Sequence, residues 1–172
     1  MGQRLVVHVY EKNKEVANAY YHWSGYTLSS LYVLRYIAEA YNKDNKISAV
    51  DLLKASGAKL AEDEDCNRND GIIETTEEGM EESSKWSEGD IDIFLDQGLY
   101  DFNVLGYADL EYIKECYSDF KIEDIETLKY NLCHMRLNDV AAIDDLIDII
   151  SELEDTQYGL FKINDYYYQS IY

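Results

Sequence analysis

Apolar, β-branched and aromatic residues concentrate in QRLVVHVY (residues 3–10) and again in VANAYYH (16–22), predicting two strands joined by EKNKE, a five-residue hairpin connection. HWSGYT then breaks the pattern. Beyond it, Leu28, Leu31, Leu34, Ala38 and Tyr41 recur at helical spacing, with Thr27 placed to cap a helix running to Asn42. Ser48 followed by Asp51 resembles an acidic capping box, opening a short helix that Gly57 would stop. Residues 61–70 read as an exposed loop and 76–86 as a short polar helix ending near Trp86. GDIDIFL (89–95) and LYDFNVL (99–105) alternate on either side of DQG, a second hairpin.

Three helical patterns follow, at 108–119, 122–137 and 139–154. Their apolar stripes are Leu110/Ile113/Tyr117, Ile125/Leu128/Leu132/Met135 and Ile143/Leu146/Ile147/Ile150/Leu153. In the tail, Asn164-Asp165 separates two β-rich runs, a candidate third hairpin. Strands and helices come in blocks rather than strict alternation. The expected fold is therefore α+β: β-hairpins forming a mainly antiparallel sheet packed with five to six helices, in one domain spanning 1–172.

Composition supports a folded chain, since 47% of the 172 residues are hydrophobic. Tyrosine is abundant at 17 copies, enough to line a core margin and leave some for a binding surface. Cys66, Cys116 and Cys133 form no CxxC or zinc spacing, which fits thiols in a reducing cytoplasm. The apolar run near the start is too short and interrupted for a signal peptide or a membrane span, and Val6 stands where myristoylation calls for Ser or Thr.

Charge changes the picture more. The total is −20. Residues 1–60 hold eight basic and five acidic side chains, whereas 61–172 hold seven basic and thirty acidic, so +3 is set against −23. Such a surface repels nucleic-acid phosphates and attracts basic proteins, although acidity also serves solubility alone.

Three stretches carry candidate chemistry. In DEDCNRNDGIIETTEE (63–78), Asp65, Asn67, Asn69 and Gly71-x5-Glu77 follow the spacing of a calcium-binding EF-hand loop. Asp70, however, is inserted before the glycine and no second loop exists to pair with, so an acidic surface loop is the expectation. YYHWSGYT places His22, Trp23, Ser24, Tyr26 and Thr27 at a strand-to-helix junction. A helix N-terminus and an aromatic ring there suit a phosphate and a base, with Arg68 within reach if the loop folds back. The plainer account is a Trp and a His fixing the hairpin onto the first helix. On VAAIDDLIDIISELED, Asp144, Asp148 and Glu152 fall four residues apart, with Asp145 beside them and no lysine to relieve them. Glu115 and Asp119 extend this acidity on a preceding helix. No nucleotide-loop, zinc, kinase or hydrolase-elbow motif occurs, and no cofactor is called for.

MGQRL, ANAYYHWSGYT and NRNDGIIETTEEGMEESSKWSEGDIDI together resemble small phage and prophage proteins of Gram-positive bacteria, over residues 1–105. The resemblance brings no catalytic residue with it. It implies a small acidic protein acting on host machinery, including inhibition of DNA-targeting defence systems. Two functions are thus expected as alternatives. One is a non-enzymatic cytoplasmic protein that inhibits a host protein with a basic surface, such as a defence nuclease, by nucleic-acid mimicry through Asp144, Asp145, Asp148, Glu152, Glu115 and Asp119. It would contact neither nucleic acid nor membrane directly. The other is a binder of a nucleotide signal, with a pocket at His22, Trp23, Tyr26, Thr27 and Arg68.

Overall fold

The computed structural model describes residues 4–22, 24–25, 27–64, 70–103 and 135–155. The strands are β1 (Arg4–Glu11), β2 (Lys14–His22), β3 (Ile72–Glu74), β4 (Gly89–Phe94), β5 (Leu99–Asn103) and β6 (Met135–Arg136). The helices are α1 (Thr27–Lys43), α2 (Ala49–Glu62), α3 (Glu77–Ser84) and α4 (Val140–Asp155). The strands form one mixed sheet in the order β3-β2-β1-β4-β5-β6. Its pairings are antiparallel except at the centre, where β1 runs parallel to β4 with Leu5 opposite Gly89 and Tyr10 opposite Phe94.

Period-two patterning gives the sheet two unlike faces. Leu5, Val7, Val9, Ala17, Ala19, Tyr21, Ile91, Ile93, Tyr100 and Phe102 are buried in one cluster with Leu31, Leu34 and Ile37 of α1, Leu52, Leu53 and Leu60 of α2, and Ile143 and Ile147 of α4. This is the core, between the sheet and three helices. The opposite face carries Arg4, His8, Tyr10, Asn18, Tyr20, His22, Asp90 and Asp92, with α3 laid across it.

Several expectations change in physical detail. The first connection is a two-residue turn, Lys12-Asn13, with φ of 51° and 62°. Two positive φ values match the strand twist, and a register shift at Val9/Tyr10 absorbs the extra residue on β2. Helix α2 does not stop at Gly57 but continues to Glu62, where Asp63 caps it. Gly57 answers a close approach instead: a Cβ there would lie 2.4 Å from the Asp70 carbonyl oxygen. Met135-Arg136 pair with β5, so no helix reaches residue 137 from 122. Among the described residues there are four helices rather than five or six. The helix expected at 108–119, most of that at 122–137 and the tail hairpin lie outside the described residues. The cap expected at Ser48 forms, its Oγ accepting from Asp51 N–H at 3.2 Å; two caps not read from the sequence join it, Thr76 Oγ1 accepting from Gly79 N–H at 3.1 Å and Asp139 Oδ1 from Ala142 N–H at 3.1 Å. No described helix is long and apolar enough to cross a membrane.

Candidate functional site

Helix α3 stands on the open sheet face as a ridge. It is polar except for Met80, which is buried. Asn18, fully buried beneath it, donates through Nδ2 to the Met80 carbonyl at 3.0 Å and to Glu15 Oε1 at 3.2 Å, tying ridge to sheet. Gly79 makes room for Glu74, because a Cβ there would sit 2.3 Å from Glu74 Oε2. The ridge carries Glu77, Glu78, Glu81 and Glu82, with Lys85 following at its C-terminal end.

Grooves run along both flanks. One, of about 810 Å³, lies over the ends of β1, β2 and β3 and is lined by Arg4, Tyr20, His22, Ile72, Glu74, Glu78, Glu82 and Trp86 among others. The second, of about 750 Å³, faces the β1–β2 turn and takes Lys14, Glu15, Glu77 and Glu81. Ile72 at 60% and Trp86 at 53% are the large hydrophobic side chains exposed among the described residues, and both line the first groove. The Trp86 ring is held in place: the Arg4 guanidinium lies 5.4 Å from its centroid, and its Nε1–H reaches Glu82 Oε1 at 3.4 Å. Hydrogen bonds from Lys85 and then Trp86 keep the Glu82 carboxyl below its usual range. His22 Nδ1 and the Tyr20 hydroxyl are 3.0 Å apart on the groove floor.

Beyond α3, the same face holds His8 between two carboxylates, Nδ1 2.7 Å from Glu15 Oε1 and Nε2 2.8 Å from Asp90 Oδ1. Burial opposes its charge, but the hydrogen bonds to Asp90 and Glu15 and their charges outweigh that and raise its pKa to about 9. His8 is therefore an imidazolium at neutral pH, a structural cation rather than a base. Burial pushes up the Asp92 carboxyl, with His8 opposing and Asp90, Asp101 and Glu15 adding to the rise. Burial also works to raise Asp90, yet hydrogen bonds from His8 and Ser87 leave it below the ordinary range.

The residues singled out from sequence fare unequally. Asp144 is not part of an unrelieved acidic row: Arg35 of α1 donates through Nε to its Oδ1 at 2.6 Å. That pair docks α4 on α1, while Asp145 and Asp148 stay exposed. Glu152 lies in the last turns of α4, and Glu115 and Asp119 fall outside the described residues. Of the second set, His22 does line a groove, but its neighbours there are Tyr20 of its own strand and residues of β1, β3 and α3. Thr27 is the first residue of α1, and Trp23, Tyr26 and Arg68 lie outside the described residues. Ser24 is 3% exposed, and its carbonyl accepts from Ser30 Oγ at 2.6 Å. Of the calcium-type set, Glu77 begins α3 and faces the second groove, whereas Asp65, Asn67 and Asn69 are outside the described residues. Among the described residues no three His, Cys, Asp or Glu side chains are disposed to hold a metal ion. Strand β3 and the groove roles of Ile72 and Trp86 were missed; the only signal was the Ile72-Ile73 pair and a single Trp within a largely polar stretch.

No family model, no curated protein and no solved structure matches the chain.

Proposed function

We propose that this chain is a non-enzymatic binding protein that docks through the acidic α3 face onto a basic surface of a partner protein. The observation that carries this is the ridge itself: Glu77 and Glu81 line one groove, Glu78 and Glu82 the other, on a chain of net charge −20. A field of that sign speeds encounter with a cationic partner and repels another copy of the same chain. The resemblance to small phage proteins supports a host protein as the target, and a DNA-cleaving defence nuclease has the basic surface required. On this reading the protein acts in the bacterial cytoplasm, and the α3 face takes over from Asp144 as the principal contact. A nucleotide in the first groove is disfavoured, because one guanidinium there is outnumbered by Glu74, Glu78 and Glu82.

The test is DNA cleavage by purified defence nucleases, titrated with this protein at 50 and 300 mM salt. Inhibition should weaken at least tenfold at the higher salt, and likewise when Glu77, Glu78, Glu81 and Glu82 are all changed to Gln. Inhibition indifferent to both changes would remove the electrostatic basis.

A further inference from the structure

An exposed tryptophan that is nevertheless fixed in position is unusual for a surface whose only task is to stay soluble. Trp86 has Arg4 against its ring at 5.4 Å and its indole N–H directed to Glu82, so little side-chain freedom is left to lose on binding. Ile72 is also exposed, on the three-residue edge strand β3, and lines the same groove. The same groove is lined by three carboxylates, Glu74, Glu78 and Glu82, and by the one guanidinium of Arg4. Exposed apolar side chains sharing a groove with several carboxylates suit an interface anchor, in which one buried side chain gives affinity and charged neighbours select by charge.

We infer that the first groove is an anchor site for a polypeptide segment that presents one large apolar side chain flanked by lysine or arginine. The apolar side chain enters between Ile72 and Trp86, and its cationic neighbours meet Glu74, Glu78 and Glu82. Charge complementarity names the occupant: a second copy of a chain at −20 is repelled, and an anionic ligand meets three carboxylates. The inference rests on the reading that α3 docks onto basic proteins, and adds to it a requirement for an apolar residue that charge alone does not impose.

Two capped heptapeptides separate these levels: Gly-Lys-Lys-Leu-Lys-Lys-Gly and its counterpart with serine in place of leucine. Titration calorimetry at 50 mM salt measures affinity, and nitrogen-15 NMR follows the Trp86 indole resonance. The leucine peptide should bind about tenfold more tightly than the serine peptide, the worth of one partly buried aliphatic side chain. It should shift the indole resonance, and Trp86→Ala or Ile72→Ser should erase the difference between the peptides while leaving the melting temperature within a few degrees of the wild type. Equal binding of both peptides, unaffected by Trp86→Ala yet weakened by Glu78→Gln with Glu82→Gln, would overturn the anchor and leave the charge-based docking intact. No binding of either peptide, or binding untouched by the glutamine variants, would sink the docking reading and the anchor with it.

Discussion

Replacing His8 by Gln tests the charge arrangement on the open face through pH. His8 is 7% exposed, and its pKa stands at about 9 against an ordinary 6.5. The folded protein therefore holds this proton more tightly than the unfolded chain. Below pH 6.5 both states are protonated and the stabilisation is fully present. From 6.5 to 9 the unfolded chain releases its proton while the folded protein keeps it, so stability falls by up to about 1.4 kcal/mol per pH unit. Above 9 the contribution is gone. Integrated over the window, it amounts to about 3 kcal/mol, a large share of a typical domain's stability.

Gln at position 8 keeps much of the shape but leaves Glu15 and Asp90 facing each other without a cation. Urea denaturation of both proteins at pH 6, 7.5, 9 and 10 gives the comparison. At pH 6 the variant should be less stable by about 3 kcal/mol, with the gap closing to below about 1 kcal/mol by pH 10. Tyr10, raised to about 12 by burial and then by Asp92, titrates above this range and is common to both proteins. A gap of constant size from pH 6 to 10 would show that His8 is not held as an imidazolium between its carboxylates.

Three further outcomes test local geometry. Gly57→Ala would ordinarily stabilise a mid-helix site by up to about 1 kcal/mol. Here its Cβ would stand 2.4 Å from the Asp70 carbonyl, so calorimetry should show a lower melting temperature, and a rise would disprove that approach. Thr76→Ala removes the cap of α3 and should cost about 1 kcal/mol, seen as faster amide exchange at Gly79; unchanged exchange would rule the cap out. Arg35→Met breaks a partly exposed pair with Asp144 and should cost less than about 1 kcal/mol, shrinking further in 0.5 M salt. A loss of several kcal/mol would mean that the pair is far more protected from solvent than its exposure indicates.

What was legible in the sequence followed from periodicity. Strands β1, β2, β4 and β5 and helices α1 and α4 run long enough to be read, and the cap at Ser48 announces itself locally, whereas α3 was legible only as a short polar stretch. The features that escaped depend on contacts distant in the chain. The parallel pairing of β1 with β4 joins residues more than eighty positions apart, which hairpin logic does not reach. Three residues of β3 are too few to show alternation. Gly57 carries the same local signal whether it ends a helix or lets another segment pass, and only the arrival of Asp70 decides.

The candidate site escaped for a related reason. A row such as Asp144, Asp148 and Glu152 is conspicuous because helix spacing alone aligns it, but spacing does not reveal whether another element brings a cation. Arg35, 109 residues earlier, does so for Asp144. Conversely, Ile72 on β3 and Trp86 in the turn after α3 lie fourteen positions apart with no shared period, yet they line one groove because α3 folds back across β2. Acidic residues crowd the latter part of this sequence, so another carboxylate adds little information. An exposed tryptophan pinned by Arg4 on a central strand is uncommon on any surface, and it is where a partner's contact would be read most directly.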